Sequence, residues 1–195
     1  MKTALISGLG NGQAKRRLLL KEVNLSNRVL EVVDYDPNWK KTFETERALL
    51  TKAIGINAVK IEHIGSTSVI GLAAKPVIDI LIEVTNLKEL DTANENLKAL
   101  GYKIKGENGI SGRRYYQKGG NQRTHHIHAF QTNDLHLDRH RAFKEYLIAH
   151  PTIATEYAAI KKQAVSKSGN INVYMVLKND FIQKHEKLAL QWFGN

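Results

Sequence analysis

The sequence predicts one α+β domain that ends in helices. The first observation is the order of its periodic segments, which reads helix, two strands, helix, about three strands and then helices. The second is composition: 195 residues with 42% hydrophobic and 25% charged content lie within the ordinary range of a globular domain. The third is that no repeat or low-complexity segment interrupts this order. We place the domain at residues 34–195 and treat residues 1–33 as an extension.

Composition also limits the functions open to this chain. No apolar run approaches the roughly 20 residues of a membrane span, and the N-terminus lacks the pattern of a signal peptide, so we expect a soluble, cytoplasmic protein. The absence of cysteine excludes disulfides, thiolate catalysis and thiolate zinc sites, and leaves His, Asp and Glu as metal ligands. A net charge of +10 favours anionic partners: nucleic acid, nucleotides, phosphorylated metabolites or an acidic surface.

Residues 1–33 form a basic N-terminal extension. They contain six Lys and Arg against two Glu, and include the basic, Leu-rich run AKRRLLLKEVNL. The glycines at 8, 10 and 12 are not interpreted as a phosphate loop, because no strand of useful length precedes them and no Gly-Lys-Ser/Thr ending follows.

The first half of the domain alternates between helical and strand periodicity. Asp36 is a candidate N-cap, Pro37 suits a first helical turn, and apolar residues share one face as far as Ile54, which predicts a helix over 37–54. Two strands follow, AVKIEHI and the β-branched VIDILIEV, the second suited to the centre of a sheet. LKELDTANENLKAL then predicts an amphipathic helix that Gly101 stops.

The second half of the domain begins with two strands and continues as helices. The strands are RRYYQKG and THHIHAF, separated by the turn GGNQ. Three helical segments complete the chain: DLHLDRHRAFKEYLIAH, which ends before Pro151, TIATEYAAIKKQAVSK, which ends at SGN, and NVYMVLKNDFIQKHEKLALQWF.

A carboxylate interrupts the apolar strand VIDILIEV. Alternate residues share a face, so Asp79 lies with Leu81 and Glu83, while the opposite face is entirely apolar and must belong to the core. Because a lone buried carboxylate is costly, Asp79 needs a hydrogen-bond partner, a cation or solvent. The alternative to a functional role is that Asp79 caps backbone groups of the adjacent loop.

The loop before this strand, GSTSVIGLAAKP, has the composition of an anion site. Gly65 permits close backbone approach, Ser66, Thr67 and Ser68 carry hydroxyls, and Lys75 carries positive charge. Composition alone fits a simple turn equally well. The spacing from Ser66 to Asp79 favours the first interpretation, because nucleotidyltransferases of the polymerase-beta type hold a triphosphate beside magnesium with such a Gly-Ser turn and strand carboxylate.

Five of the eight histidines lie within residues 125–140. In the strand THHIHAF, His126 and His128 share one face and could offer two imidazoles to one metal or anion. The alternative is a pair of surface histidines on an edge strand. Arg113, Arg114 and Arg123 flank the same strands and could bind phosphate in bidentate fashion.

A Ser-His-Asp hydrolase can be assembled from Ser66, His126 and Asp79. The sequence around Ser66 lacks the Gly-x-Ser-x-Gly elbow that strains and exposes such a nucleophile. We therefore do not favour a hydrolase.

From about Asp34 to Phe193 the chain resembles the GrpB family, which is also found fused to some bacterial dephospho-CoA kinases. The segments that carry the resemblance are YDPNW with Phe43 and Glu46 after it, IEHIGSTSV, GLAAKPVIDI, RRYY, RTHHIHAF, AFKEYLIAHP and EYAAIKK. The resemblance implies a nucleotidyltransferase-like fold, a mixed β-sheet flanked by helices. It brings no established reaction, so function follows only by analogy of fold.

The chain departs from the nucleotidyltransferase pattern at its metal ligands. The usual carboxylates at i and i+2 correspond to Asp79 and Leu81, and Glu83 is roughly 13 Å away along the strand. Where a later strand would supply a third carboxylate, the chain offers His126 and His128. These three ligands, Asp79 and the two histidines, suit a softer divalent ion or an anion better than magnesium.

Together these observations predict a protein that binds a nucleotide or another phosphorylated ligand. Its phosphates would lie at Gly65 and Ser66, a divalent metal (magnesium, manganese or zinc) would be held by Asp79 with the histidines, and Lys75 or Arg114 would offset charge on a leaving group. The competing hypothesis is a non-catalytic module that inherited the fold and binds RNA or a partner protein through its basic surface. The leucine at position 81 supports this second hypothesis.

Overall fold

Five strands form one mixed sheet in the computed structural model, which describes residues 31–168 and 171–194. The strand order is β1-β2-β5-β4-β3; β2 and β5 are parallel, and every other neighbouring pair is antiparallel. The strands are β1 Ala58–Ile64, β2 Ile78–Val84, β3 Tyr102–Ile104, β4 Arg114–Lys118 and β5 His125–Gln131. The mixed sheet implied by the family resemblance is confirmed.

Helices cover both faces of this sheet. The main helices are α1 Asn38–Ile54, α2 Leu87–Thr92, α3 Asn94–Ala99, α4 Leu135–Ala149, α5 Pro151–Ser168 and α6 Ile171–Phe193. Helices α1, α2 and α3 pack on one face, and α4 packs on the other, where it also contacts α5 and α6. In the described part of the chain, no helix is both long and apolar enough to cross a membrane.

The main core lies between α1 and the apolar face of β2. Ile78, Ile80 and Ile82 are at most 2% exposed and pack with Trp39 and Phe43 of α1. Each fully buried side chain of this size contributes about 1.5–3 kcal/mol to folding. The predicted alternation of VIDILIEV is therefore correct, and it turns Asp79 toward α4, α5 and α6.

Most ends of the predicted helices and strands lie within one residue of the observed ends. Helix α1 begins one residue later than expected, and Asp36 Oδ1 accepts the backbone N–H of Asn38 at 2.9 Å, close to its predicted capping role. The predicted helix over LKELDTANENLKAL is two short helices that meet at Ala93, and β3 is too short to show a periodicity.

The start of the domain is described from residue 31. Val33 pairs with Ala74 through two backbone hydrogen bonds of 2.9 Å, so the chain contacts the domain one residue before the predicted boundary. Residues 1–30 of the predicted extension lie outside the described residues.

Candidate functional site

The site is centred on Asp79, which lies between a tight turn and a histidine. Antiparallel pairing sets Asp79 opposite Ile64, so the next residue, Gly65, begins its turn beside the carboxylate. Gly65 has a φ of +70°, and a Cβ at this position would lie 2.7 Å from Asp79 Oδ2. Only glycine fits this turn without displacing the carboxylate. Parallel pairing sets Asp79 beside His126 on β5.

Asp79 is hydrogen-bonded by an imidazole. His126 Nδ1 lies 3.0 Å from Asp79 Oδ1, and His128 Nε2 lies 3.9 Å from the same oxygen. Burial alone would raise the pKa of the Asp79 carboxyl, but the hydrogen bond of His126 and the nearby imidazole of His128 outweigh it and hold this pKa below its usual range. The ionised carboxylate can only accept, so His126 Nδ1 carries the proton. The carboxylate and both predicted histidines therefore meet on one face of the sheet.

The three hydroxyls of the turn have different roles. Ser68 Oγ donates to the carbonyl of Gly65 at 2.6 Å and closes the turn. Thr67 is buried, and its hydroxyl donates to the carbonyl of Val77 at 3.2 Å, which directs it into the protein instead of toward a ligand as we expected. Of the three hydroxyls, that of Ser66 is therefore the best candidate for the predicted contact with a ligand phosphate.

Lys161 is the functional candidate that the sequence did not identify. Its side chain extends from α5 to the turn, where Nζ donates to Ser66 Oγ at 2.9 Å and to the carbonyl of Ala73 at 2.5 Å. The residue is 1% exposed, and its ammonium lies 4.2 Å from the centre of the Tyr157 ring. Burial, with a smaller contribution from the charge of Lys178 on α6, lowers the pKa of Lys161 to about 7.

Lys161 could have been found from helical spacing. Residues 154, 157, 161 and 164 of α5 are all buried, and their spacing of three, four and three residues defines one helix face. A lysine on the same helix face as Tyr157 is therefore a candidate for a buried cation.

The predicted arginines do not converge on the turn. Arg114 lies on the opposite face of the sheet, where its guanidinium binds both carboxylate oxygens of Asp91 at 2.7 and 2.8 Å. Arg113 is buried and donates to the carbonyls of residues 107 and 108 while its guanidinium stacks on Tyr115. Arg113 thus stabilises a loop and Arg114 forms an ion pair, and neither role requires a phosphate ligand.

Two further predicted cations lie at the ends of loops. Arg123 donates from Nε to the carbonyl of Gly120 at 3.1 Å, within the turn before β5. Lys75 is half-buried, and its carbonyl accepts the N–H of Val77 at 2.7 Å just before β2. The roles of both side chains toward a ligand stay predictions.

The residues at positions 81 and 83 do not provide a second metal-binding carboxylate. Leu81 is fully buried in an apolar cluster with Ile64, Phe130 and Leu137. Glu83 Oε2 lies 2.6 Å from Arg141 Nη2, and the same guanidinium binds Glu62 from Nε at 2.8 Å. The paired-carboxylate magnesium site of nucleotidyltransferases therefore does not fit these residues.

Nor do the described residues contain a group of three or more His, Asp or Glu side chains arranged to hold a metal ion. His126 and His128 both approach one carboxylate oxygen, as in a hydrogen-bonded cluster. A softer metal held by Asp79, His126 and His128 stays a prediction.

Aromatic and imidazole rings extend the site across the sheet toward α4. Tyr115 packs against His126 and His128, with ring centres 5.6 and 5.1 Å apart, and His128 packs against His140 at 5.1 Å. Burial, followed by the charges of His128 and Arg139, lowers the pKa of His140 to about 3, and burial also lowers the pKa of His128. Burial therefore disfavours the charged form of both imidazoles on this side of the site.

A separate cleft of about 560 Å³ opens next to the same loop. Residues 68–73 line one side, and the end of α4 and the start of α5 line the other. Asp34 and Lys162 both line it and form an ion pair of 2.6 Å. Neither Asp79 nor Lys161 lines this cleft, so we distinguish it from the site.

The fold and site define an α+β protein with one mixed sheet and a Gly-Ser turn beside a single strand carboxylate. The model of the GrpB protein family matches residues 29–188, and the chain belongs to this family. The crystal structure of conserved protein GrpB from Enterococcus faecalis is 43% identical, with a TM-score of 0.82 over 85% of this chain and all of that one. The GLD-2/RNP-8 complex shares the fold alone, with 13% identity and a TM-score of 0.50 over 81% of this chain and 63% of that one.

Two relatives are longer than this chain. UPF0157 protein YqkA of Bacillus subtilis is 44% identical over 182 residues, which are 92% of this chain and 53% of that protein. A dephospho-CoA kinase of Mycolicibacterium paratuberculosis is 28% identical over 200 residues, covering 87% of this chain and 49% of the kinase. The chain thus spans about half the length of these relatives, and the predicted relationship to dephospho-CoA kinases is confirmed.

Proposed function

We propose that this protein binds a nucleotide or another phosphorylated ligand, with its phosphates at the Gly65–Ser66 turn. Lys161 supplies the positive charge, and Asp79 with His126 forms the opposite side of the site. The GrpB resemblance supports this assignment by analogy of fold, because it implies a nucleotidyltransferase-like architecture.

The observation that carries the proposal is the buried ammonium of Lys161 at the turn. Because Nζ donates to Ser66 Oγ, the Ser66 hydroxyl has its own proton to donate, either to Tyr157, with which it also forms a hydrogen bond, or to a ligand. A phosphate oxygen that accepts this proton would lie about 5 Å from Nζ. At an effective dielectric constant of 20, unit charges at that distance attract by about 3 kcal/mol. An anion would thus compensate a cation that burial otherwise disfavours.

Chemistry at this site cannot follow the usual two-ion route. Leu81 occupies the position of the second carboxylate, and Arg141 neutralises the two glutamates nearest to it. A more specific form of the proposal is that Asp79, His126 and His128 hold a single divalent ion, and this form needs its own test.

A second candidate is a non-catalytic module that binds RNA or a partner protein. The specific observation in its favour is Leu81, whose complete burial stabilises the sheet at the position where catalysis would need a ligand. The net charge of +10 provides the attraction to RNA. Such binding should weaken steeply with salt and need no metal.

The first test is thermal unfolding of the whole chain with a panel of nucleoside triphosphates, alone and with magnesium, manganese or zinc. A ligand at 100 times its dissociation constant adds about 2.7 kcal/mol of stability, a shift of several degrees. We expect at least one nucleotide to give this shift, and Lys161→Met to remove it. Lys162→Met is the matched control, because Lys162 is the adjacent lysine and is exposed.

The outcomes separate the hypotheses. A shift that survives in Lys161→Met would contradict the assignment of the phosphate site. A shift that needs metal and is lost in Asp79→Asn would support the metal at Asp79, His126 and His128. No shift with any nucleotide, together with RNA binding that falls steeply with salt, would support the binding module instead.

A further inference from the structure

Asp79 and His126 form a carboxylate-imidazole pair of the kind that orients a reactive histidine. The Nδ1–Oδ1 distance of 3.0 Å places a proton on Nδ1, so when the ring carries a single proton its lone pair lies on Nε2. Packing against the buried ring of Tyr115 holds the imidazole in place. The reactive atom of this pair is therefore Nε2, on the side of the ring away from Asp79.

Nε2 of His126 is available to a ligand. The His126 side chain is 24% exposed, and no described residue makes a hydrogen bond to Nε2. The phosphate turn lies on the other side of the same carboxylate, because Asp79 Oδ2 faces Gly65, where an added Cβ would lie 2.7 Å away, and Oδ1 faces His126. One carboxylate thus connects the imidazole to the proposed phosphate position.

The other histidines around this strand lack these properties. His128 has a buried Nδ1 without a hydrogen-bond partner, so its tautomer is not fixed in the same way. His125 lies on the opposite face of the sheet, near Glu46. His140 is packed against His128 on α4 and does not reach Asp79 by a hydrogen bond in the described structure.

We propose that His126 Nε2 is a nucleophile that takes up a phosphorus group from a ligand held at the Gly65–Ser66 turn, an inference that rests on the proposed function. The Nε2 lone pair forms a P–N bond as the P–O bond to the leaving group breaks, and the leaving group departs as an anion with the bonding electrons. The positive charge of the substituted imidazole is stabilised by Asp79, and charge on the leaving group is offset by Lys161. In this role Asp79 positions the imidazole and binds no metal, so the inference rests on the phosphate site of the proposed function and is an alternative to a divalent ion at Asp79, His126 and His128.

The experiment exposes the purified chain to two donors whose phosphorus group is transferred by cleavage of a P–O bond: ATP and acetyl phosphate. Intact-mass measurement at neutral pH, followed by peptide mapping, detects an acid-labile group on histidine, and ATP labelled at the α or γ phosphate identifies the phosphorus transferred. Thermal unfolding with each donor measures binding in parallel. We expect an adduct on His126 with at least one donor, in the presence of a metal chelator.

Three variants test the assignment. His126→Asn should bind the same donor and form no adduct. Asp79→Asn keeps the shape of the side chain but not its charge, so it should slow adduct formation at least about tenfold at saturating donor. A purely structural role for Asp79 would lower stability and leave this rate unchanged. His150→Gln, at the end of α4, should form the adduct like the unchanged chain.

The failures of the two proposals are distinguishable. A donor that shifts the unfolding temperature but leaves no adduct on His126 would overturn the nucleophile and preserve the binding site. An adduct on another histidine would also overturn it. The absence of both binding and adduct, with every donor and with the nucleotide panel, would overturn the proposed function and this inference with it.

Discussion

Replacing Lys161 by methionine should remove a large pH dependence from the stability of the fold. The pKa of Lys161 falls from its ordinary value of 10.5 to about 7 because the ammonium is buried. Between these two values the unfolded chain binds a proton that the folded chain has released, so the free energy of unfolding rises with pH. Below about pH 7 the lysine is charged in both states, and the folded protein bears the full cost of burying the charge.

The size of this effect follows from the two pKa values. A difference from 10.5 to about 7 corresponds to roughly 5 kcal/mol in total, of which about 4 kcal/mol falls between pH 6 and pH 10. Solvent screening is small because the side chain is 1% exposed. Methionine keeps the length of the side chain but leaves Ser66 Oγ and the carbonyl of Ala73 without their donor. That loss is nearly independent of pH, so it cancels when the two proteins are compared across the pH range.

The assay is urea unfolding at several pH values from 6 to 10 for the unchanged chain, Lys161→Met and Lys162→Met. The free energy of the unchanged chain minus that of Lys161→Met should increase by about 4 kcal/mol as the pH rises. The same difference for Lys162→Met should change by less than about 1 kcal/mol, because that lysine is exposed. A flat difference for Lys161→Met would show that the buried ammonium has an ordinary pKa and would refute the electrostatic argument for the site.

Two further predictions concern the shape of the site. Gly65→Ala should lower the free energy of unfolding by about 1–3 kcal/mol more than Gly71→Ala. Both glycines have positive φ, but only at Gly65 would a Cβ meet Asp79. Equal losses in urea unfolding would contradict this close approach. Leu81→Ala should cost about 2–5 kcal/mol in the same assay, whereas Leu49→Ala, at a position 38% exposed, should cost under about 1 kcal/mol, and similar losses would contradict the packing role of Leu81.

Sequence patterns predicted those parts of the site that are set by neighbouring residues. The two-residue period of VIDILIEV placed Asp79 on the face away from the main core, and the same period placed His126 and His128 together on one face. Gly65 could be anticipated because the Gly-Ser turn directly follows β1. A strand of three residues, such as β3, has too few residues for any period to be visible.

Contacts between distant segments account for what the sequence did not predict. Lys161 is 95 residues from its partner Ser66, and only the packing of α5 against the turn brings them together. Arg114 was expected to bind phosphate, but Asp91, 23 residues earlier, neutralises it on the other face of the sheet. The sequence does not show which opposite charge will lie next to a charged residue, because that depends on the tertiary fold.

The position of Asp79 determines which variants can separate binding from chemistry. Its Oδ2 lies against the Gly65 turn and its Oδ1 accepts from His126, so a change at Asp79 alters the phosphate position and the imidazole together. An Asp79 variant would therefore lose function whether Asp79 binds a metal, orients the imidazole or supports the turn. Lys161 contacts only the turn side of the site and His126 only the strand side. A protein in which Lys161→Met removes binding while His126→Asn removes only the covalent adduct would assign the two functions to separate residues, with Asp79 as the group that joins them.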